Sequence, residues 1–302
     1  MAHMSRQATH SPPSAALSRT SRNFISQRLR LHYVDWGNPD APPLVLLHGG
    51  RDHCRSWDWV AERLAADWHV IAPDLRGHGD SAWSNAGNYM MAGYIYDLAQ
   101  LIHQQRLAPV TIVAHSLGGN IALRYTGLYP ENVARIVAIE GLGPAHLTER
   151  ARMTVAERTT KWIEETRALA ARTARRYSSI EEGVSRMRDV NKRLSAHQAR
   201  HLTVHGMAQN EDGTFSWKYD PYVRPWAPYD MQPADVQSLW ARISCPTLLV
   251  CGSESWHTDP AKDGRAAVFA RAEVAMFTGA GHWVQHDAFE GFMSRIEAFL
   301  SG

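Results

Sequence analysis

Between Leu29 and Gly141 the chain alternates short apolar runs with longer stretches whose apolar residues recur every three or four positions. Leu29 to Val34 alternates apolar and polar residues, as a half-buried strand does. Leu44 to Leu47 is wholly apolar, entered from Pro42-Pro43 and left through Gly49-Gly50, the look of a strand covered on both faces. His69 to Ala72, Val110 to Ala114 and Val133 to Ile139 repeat the strand signal, with helical periodicity over Trp57 to Ala66, Met91 to Arg106 and Leu117 to Leu128. Strands separated by helices predict an α/β fold: a mostly parallel central sheet with helices on both faces.

The rhythm stops at Gly141. From residue 144 to 235 the chain is rich in Arg and Glu, with Met153, Trp162, Leu169, Ile180, Val184, Met187 and Leu194 at helix-compatible intervals. An aromatic segment from Phe215 to Tyr229 follows, which Pro221, Pro225 and Pro228 keep from being helical. This stretch is expected to be a helical cap inserted into the core. The sheet then resumes: Thr247 to Cys251 and Glu273 to Phe277 as strands, Pro260 to Phe269 and Ala288 to Leu300 as helices. The expected organisation is a disordered tag and tail over 1–23, a core of 24–143 plus 236–302, and the cap over 144–235.

Composition agrees with a globular protein: 302 residues, 44% hydrophobic and 21% charged, with 32 basic against 30 acidic side chains. A net charge of +2 gives no footprint for nucleic acid. No run approaches the ~18 apolar residues that span a bilayer, so no stable membrane insertion is expected. The first residues lack the apolar centre of a secretory signal. Cys54, Cys245 and Cys251 are too few and wrongly spaced for a disulfide framework or a zinc site, which points to a reducing, cytoplasmic setting. With no Cys-x-x-Cys pair, neither metal nor cofactor is expected.

The chemistry concentrates where Val110 to Ala114 runs into His115-Ser116-Leu117-Gly118-Gly119 and then a helix. A serine at a sharp strand-to-helix turn has its hydroxyl thrust out above the sheet, and small residues two positions either side let the backbones approach. Ala114 and Gly118 supply them, Ala114 in place of the usual glycine. Ser116 is the expected nucleophile, and the Leu117 amide, opening a helix, suits a developing oxyanion. The plainer alternative is that Ser116 only caps the helix. An unactivated alcohol needs a base, and His282 in Gly279-Ala280-Gly281-His282-Trp283 is the candidate.

Taken together, these motifs resemble the α/β-hydrolase superfamily. Leu46-Leu47-His48-Gly49-Gly50 is similar to its strand-end loop, which implies that the Gly50 amide is the second oxyanion donor. Asp74 to Ser81 resembles the loop after the next strand, expected to be structural, with Arg76 pairing Asp74 or Asp80. The resemblance would place an acid at position 255, but that residue is serine. Some members carry the acid after the preceding strand, where Glu140 follows Ile139, so Glu140 is the expected acid, with Glu254 and Asp259 as alternatives. Ser116, rather than an aspartate, argues against alkyl-ester chemistry on halides or epoxides.

For the substrate pocket, Arg51, Trp57, Trp217 and Tyr219 are candidates, though Trp57 equally suits the core and the aromatics equally suit fastening the cap. His286 is expected to be a surface or packing histidine. The implied activity is a serine esterase cleaving a small-molecule carboxylic ester through an acyl-enzyme, as a monomer or homodimer. A C–C bond hydrolase, lactonase, thioesterase or acyltransferase would use the same site, and a ligand sensor with little turnover is the alternative outside catalysis.

Overall fold

The computed structural model describes residues 19–143 and 152–302. Eight strands form one sheet in the order β1-β2-β4-β3-β5-β6-β9-β10. β1 (Thr20–Ser26) and β2 (Leu29–Asp35) form an antiparallel hairpin at one edge. β3 (Pro43–Leu47), β4 (His69–Pro73), β5 (Val110–His115), β6 (Val133–Ile139), β9 (Thr247–Gly252) and β10 (Ala272–Phe277) run parallel to one another.

The continuous apolar runs have their physical reason in two cores. Because side chains alternate along a strand, Val45, Leu47, Ile112, Ala114, Ile136 and Leu249 face one layer. There they meet Ile95 and Leu98 of α2 (Met91–Gln104), Ile121 and Tyr125 of α3 (Leu117–Leu128), and Trp240 of a returning helix. Leu44, Leu46, Val113, Val137, Leu248 and Val250 face the other, against Val60 and Leu64 of α1 (Asp58–Leu64) and residues of the C-terminal helix.

Between β6 and that returning helix the chain builds α4 (Val155–Ala170), α5 (Ile180–Val190), α6 (Ala196–Gly206) and a small hairpin of β7 (Met207–Gln209) and β8 (Phe215–Trp217). α7 (Pro233–Ala241) brings the chain back and packs on α3, and α8 (Val284–Asp287) and α9 (Phe289–Ser301) close the fold. α4 buries none of its residues and α6 only four, in keeping with a polar insert lying on the core.

Three sequence expectations need correction. The tail drawn over 1–23 is too long, since residues 20–23 already pair with His32 to Asp35 in β1; residues 1–18 lie outside the described residues. The core resumes at Pro233 rather than 236, because Pro233 opens α7. The helix expected over Pro260 to Phe269 is only a single turn at Ala266–Val268, since Gly264 takes φ +83° and Asp259 and Asp263 accept amides of the turns around it. Within the expected cap, residues 144–151 are also outside the description.

Candidate active site

Strand register builds the centre. His115 of β5 pairs with Ile139 of β6, so the next residues, Ser116 and Glu140, leave the sheet side by side. Both adopt the left-handed conformation, φ +50° and +51°, which side chains other than glycine's rarely take. The strain is held by hydrogen bonds: Ser116 N–H donates to Ile139 O at 2.8 Å, its carbonyl accepts from Asn120 at 2.9 Å, and Glu140 N–H donates to Val250 O at 2.9 Å. The Ser116 hydroxyl makes no capping bond to α3, which removes the helix-cap alternative.

The bend demands close approach. A Cβ on Gly118 would lie 2.6 Å from His48 O and 2.7 Å from Leu47 O; one on Gly49 would lie 3.2 Å from Ser116 Cβ. The loop after β3 is thus pressed against the serine, and a Cβ on Gly50 would stand 3.8 Å from Leu117 Cδ2, so the two expected oxyanion donors are neighbours. His48 fixes this loop, donating from Nδ1 to Gly49 O at 2.7 Å and accepting from Leu75 N–H at 2.9 Å. Complete burial lowers its pKa to about 3, so it is a neutral strut.

His282 follows β10 on a glycine-containing turn in which Gly281 N–H donates to Asp287 at 2.8 Å. Its carbonyl accepts from His115 Nε2 at 2.9 Å, tying the histidine loop to the residue before the serine. Its Nδ1, buried without a hydrogen bond, stands 3.8 Å from Glu140 Oε2. Burial first, and His257 second, lower the His282 pKa to about 3, so the imidazole rests in the neutral form that a base requires. Burial raises the Glu140 pKa against the amide of Gly252, which donates to Oε1 at 2.8 Å, and the hydroxyl of Ser255, which donates to Oε2 at 3.0 Å.

The other candidates separate by position. Glu254 is exposed and paired with Arg193 of the insert, and Asp259 accepts from the Ala261 amide beside Lys262, so both carboxylates are engaged elsewhere. Trp57 is 1% exposed among Val34, Leu44 and Val60, a core residue and not a pocket wall. Trp217 donates to Tyr177 Oη at 3.0 Å and Tyr219 accepts from Arg224 at 3.3 Å, both within the insert. Between them, Lys218 pairs with Asp80 at 2.8 Å and Asp220 accepts from Tyr89 at 2.5 Å, so this segment fastens the insert to the core. Arg51 is exposed at φ +62° beside Gly50. His286 packs edge-on against Trp59, as expected.

In the Asp74 to Ser81 loop, Asp74 accepts from Cys54 N–H and His32 Nδ1, each at 2.7 Å, and holds the loop together. Arg76 pairs with neither Asp74 nor Asp80. It binds Asp97 of α2 at 2.5 and 2.6 Å, a partner beyond local reading. Among the described residues the fold also gathers three groups able to hold a metal ion: His32, Cys54 and Asp74; Asp58, His201 and His205; and Glu140, His257 and His282. In the second, Arg55 already occupies the Asp58 carboxylate at 2.5–2.8 Å.

Sequence reasoning missed Trp256 and His257, and saw Ser255 only as the vacant acid position. Trp256 stacks on His282 with centroids 4.0 Å apart, and His257 lies 5.3 Å from the same ring and 3.9 Å from Glu140 Oε2. The available signal was two rings following the serine at the expected acid position.

The chain can now be set beside known proteins. Over 99% of its length it is 28% identical to esterase Rv0045c of Mycobacterium tuberculosis, covering 94% of that protein. The solved structure of that esterase superposes with a TM-score of 0.72 at 22% identity, covering 94% of this chain and 92% of the other. A thioesterase domain from the curacin biosynthetic pathway superposes with a TM-score of 0.80 at 21% identity, covering 92% and 99%. The profile of the alpha/beta hydrolase fold matches residues 42–289, and with the sheet order and serine bend described above, the chain belongs to the α/β-hydrolase family.

Proposed function

We propose that this protein is a serine esterase whose triad is Ser116, His282 and Glu140, with Gly50 and Leu117 amides as the oxyanion hole and the helical insert as a cap. The observation that carries it is the pairing of Ser116 and Glu140 just past β5 and β6, with the His282 loop bonded to His115.

Ser116 Oγ attacks the ester carbonyl while its proton passes to His282 Nε2; Nδ1 faces Glu140, whose carboxylate stabilises the imidazolium. The carbonyl oxygen, now anionic, takes hydrogen bonds from the Gly50 and Leu117 amides. Collapse expels the alcohol with the proton from His282, and water activated by the same nitrogen cleaves the acyl-enzyme to acid and free serine. The 3.8 Å between His282 and Glu140 closes to a hydrogen bond on charging, as such contacts do when substrate binds. Esterase chemistry is supported by the likeness to the mycobacterial esterase. Three free, buried cysteines support a reducing compartment, the cytoplasm.

Hydrolysis of p-nitrophenyl acetate and butyrate tests this. We expect turnover abolished by Ser116→Ala together with labelling of Ser116 by a fluorophosphonate. Native protein that binds esters with no Ser116-dependent turnover would be a sensor instead.

A further inference from the structure

Four rings surround the His282 imidazole. Trp256 lies against its face, tilted by 27° at 4.0 Å between centroids; Trp283 meets it edge-on at 5.2 Å and 87°. His257 is nearly parallel at 5.3 Å and 12°, and His115 stands at 4.7 Å. Three of these rings are buried or half-buried. Trp256 is 65% exposed, the most exposed large hydrophobic side chain described. An indole that leaves most of its surface in water contributes little to the core. Its nearest ring is the imidazole that must change charge, at 4.0 Å against 5.9 Å for His257 and 6.1 Å for Trp283, and an indole face attracts a cation placed over it. Trp256 also sits next to Ser255, whose hydroxyl holds Glu140, so a single short loop touches both the histidine and its carboxylate.

We propose that Trp256 is a positioning residue for ester hydrolysis, its indole holding the His282 ring in the orientation that serves Ser116 and stabilising the imidazolium formed as the serine attacks. The ring covers His282 from solvent on one face, so the proton taken from the serine is held beside a π-surface and the Glu140 carboxylate. The neutral imidazole of the resting enzyme gains less from the indole than the imidazolium does, so the interaction strengthens as the reaction proceeds and acts on kcat more than on KM. This inference rests on His282 being the base.

The test compares Trp256→Ala, Trp256→Phe and His282→Gln for kcat and KM on p-nitrophenyl butyrate, for the rate of fluorophosphonate labelling of Ser116, and for melting temperature. Trp256→Ala is expected to lower kcat and the labelling rate about 3- to 30-fold with KM nearly constant, the range of a cation–π contact. Trp256→Phe, which keeps an aromatic face, should stay within about threefold of the native enzyme. Neither change should move the melting temperature appreciably, given the exposure of the indole. Unchanged kcat and labelling in Trp256→Ala, or a rise confined to KM, overturns the proposal and leaves Trp256 as surface or as substrate wall. Fast labelling in His282→Gln instead overturns the base assignment, whatever Trp256 does.

Discussion

Ser255 stands where the resemblance asks for the triad acid, and its hydroxyl donates to Glu140 Oε2 at 3.0 Å. In the proposed triad the two positions act together, the carboxylate standing at the neighbouring strand end and the hydroxyl at 255 steadying it. Glu140→Gln should cut kcat by a factor on the order of 10³–10⁴, as loss of the tautomer-fixing carboxylate does in a serine triad. The double variant Glu140→Gln, Ser255→Asp should recover at least tenfold of this, since a carboxylate at 255 starts within reach of the same imidazole. Turnover of the double variant no better than that of Glu140→Gln would separate the two positions.

Among the described residues five histidines are held neutral by deep burial, His48 and His282 at about 3, His78 and His286 at about 4, and His115 well below its ordinary value, while the half-buried His205 is lowered as well. Their unfolded values lie near 6.5, so below that pH the unfolded chain binds protons that the fold refuses. Stability is therefore complete above about pH 7 and falls as pH drops through 6 towards 4, by about 1.4 kcal/mol per unit for each histidine. Asp74 acts in the same sense at lower pH: burial opposes its ionisation, but the His32 hydrogen bond holds its pKa below the usual carboxylate range, so its contribution is lost only as pH falls below that range. Melting temperature measured from pH 8 to 5 should be flat to about 6.5 and then fall steeply; a flat profile to pH 5 would refute buried neutrality.

Gly118→Ala would thrust a methyl to within 2.7 Å of two backbone carbonyls of the loop after β3. Backbone cannot yield as a side-chain tip does, so the cost is expected at about 3 kcal/mol or more, with loss of esterase activity. Urea unfolding gives the first and p-nitrophenyl butyrate turnover the second.

Asp97 is buried against Arg76 and accepts from Ser26 at 2.5 Å. Arg76→Leu would leave the buried carboxylate with the Ser26 hydroxyl but without its cation, a loss of about 3–5 kcal/mol by urea titration. Since neither residue belongs to the proposed triad or oxyanion hole, kcat of the folded fraction should be unchanged.

Much of this fold is legible locally. Val110 to Ala114 and Val133 to Ile139 read as strands because both faces are covered, and Ser116 reads as a nucleophile because its neighbours are small. β1 escapes because it is an edge strand in which only Phe24 and Ser26 are buried, so its pattern resembles a polar tail. The partner of Arg76 escapes because the fold, and not the loop motif, brings Asp97 to it. Trp256 and His257 escape because their role depends on the loops after β9 and β10 meeting, which β9–β10 pairing creates and no single segment announces.

The insert leaves from the end of β6 and returns through α7 to the start of β9, the strand bonded directly beside it. Topologically it is an ordinary crossover that has been lengthened before its helix. Among the described residues the insert supplies no strand of the eight-stranded sheet, so its length is free to vary without disturbing the strands beside Ser116, Glu140 and His282. A lineage could exchange one roof for another, and with it the range of esters admitted, while the machinery underneath stayed as it is.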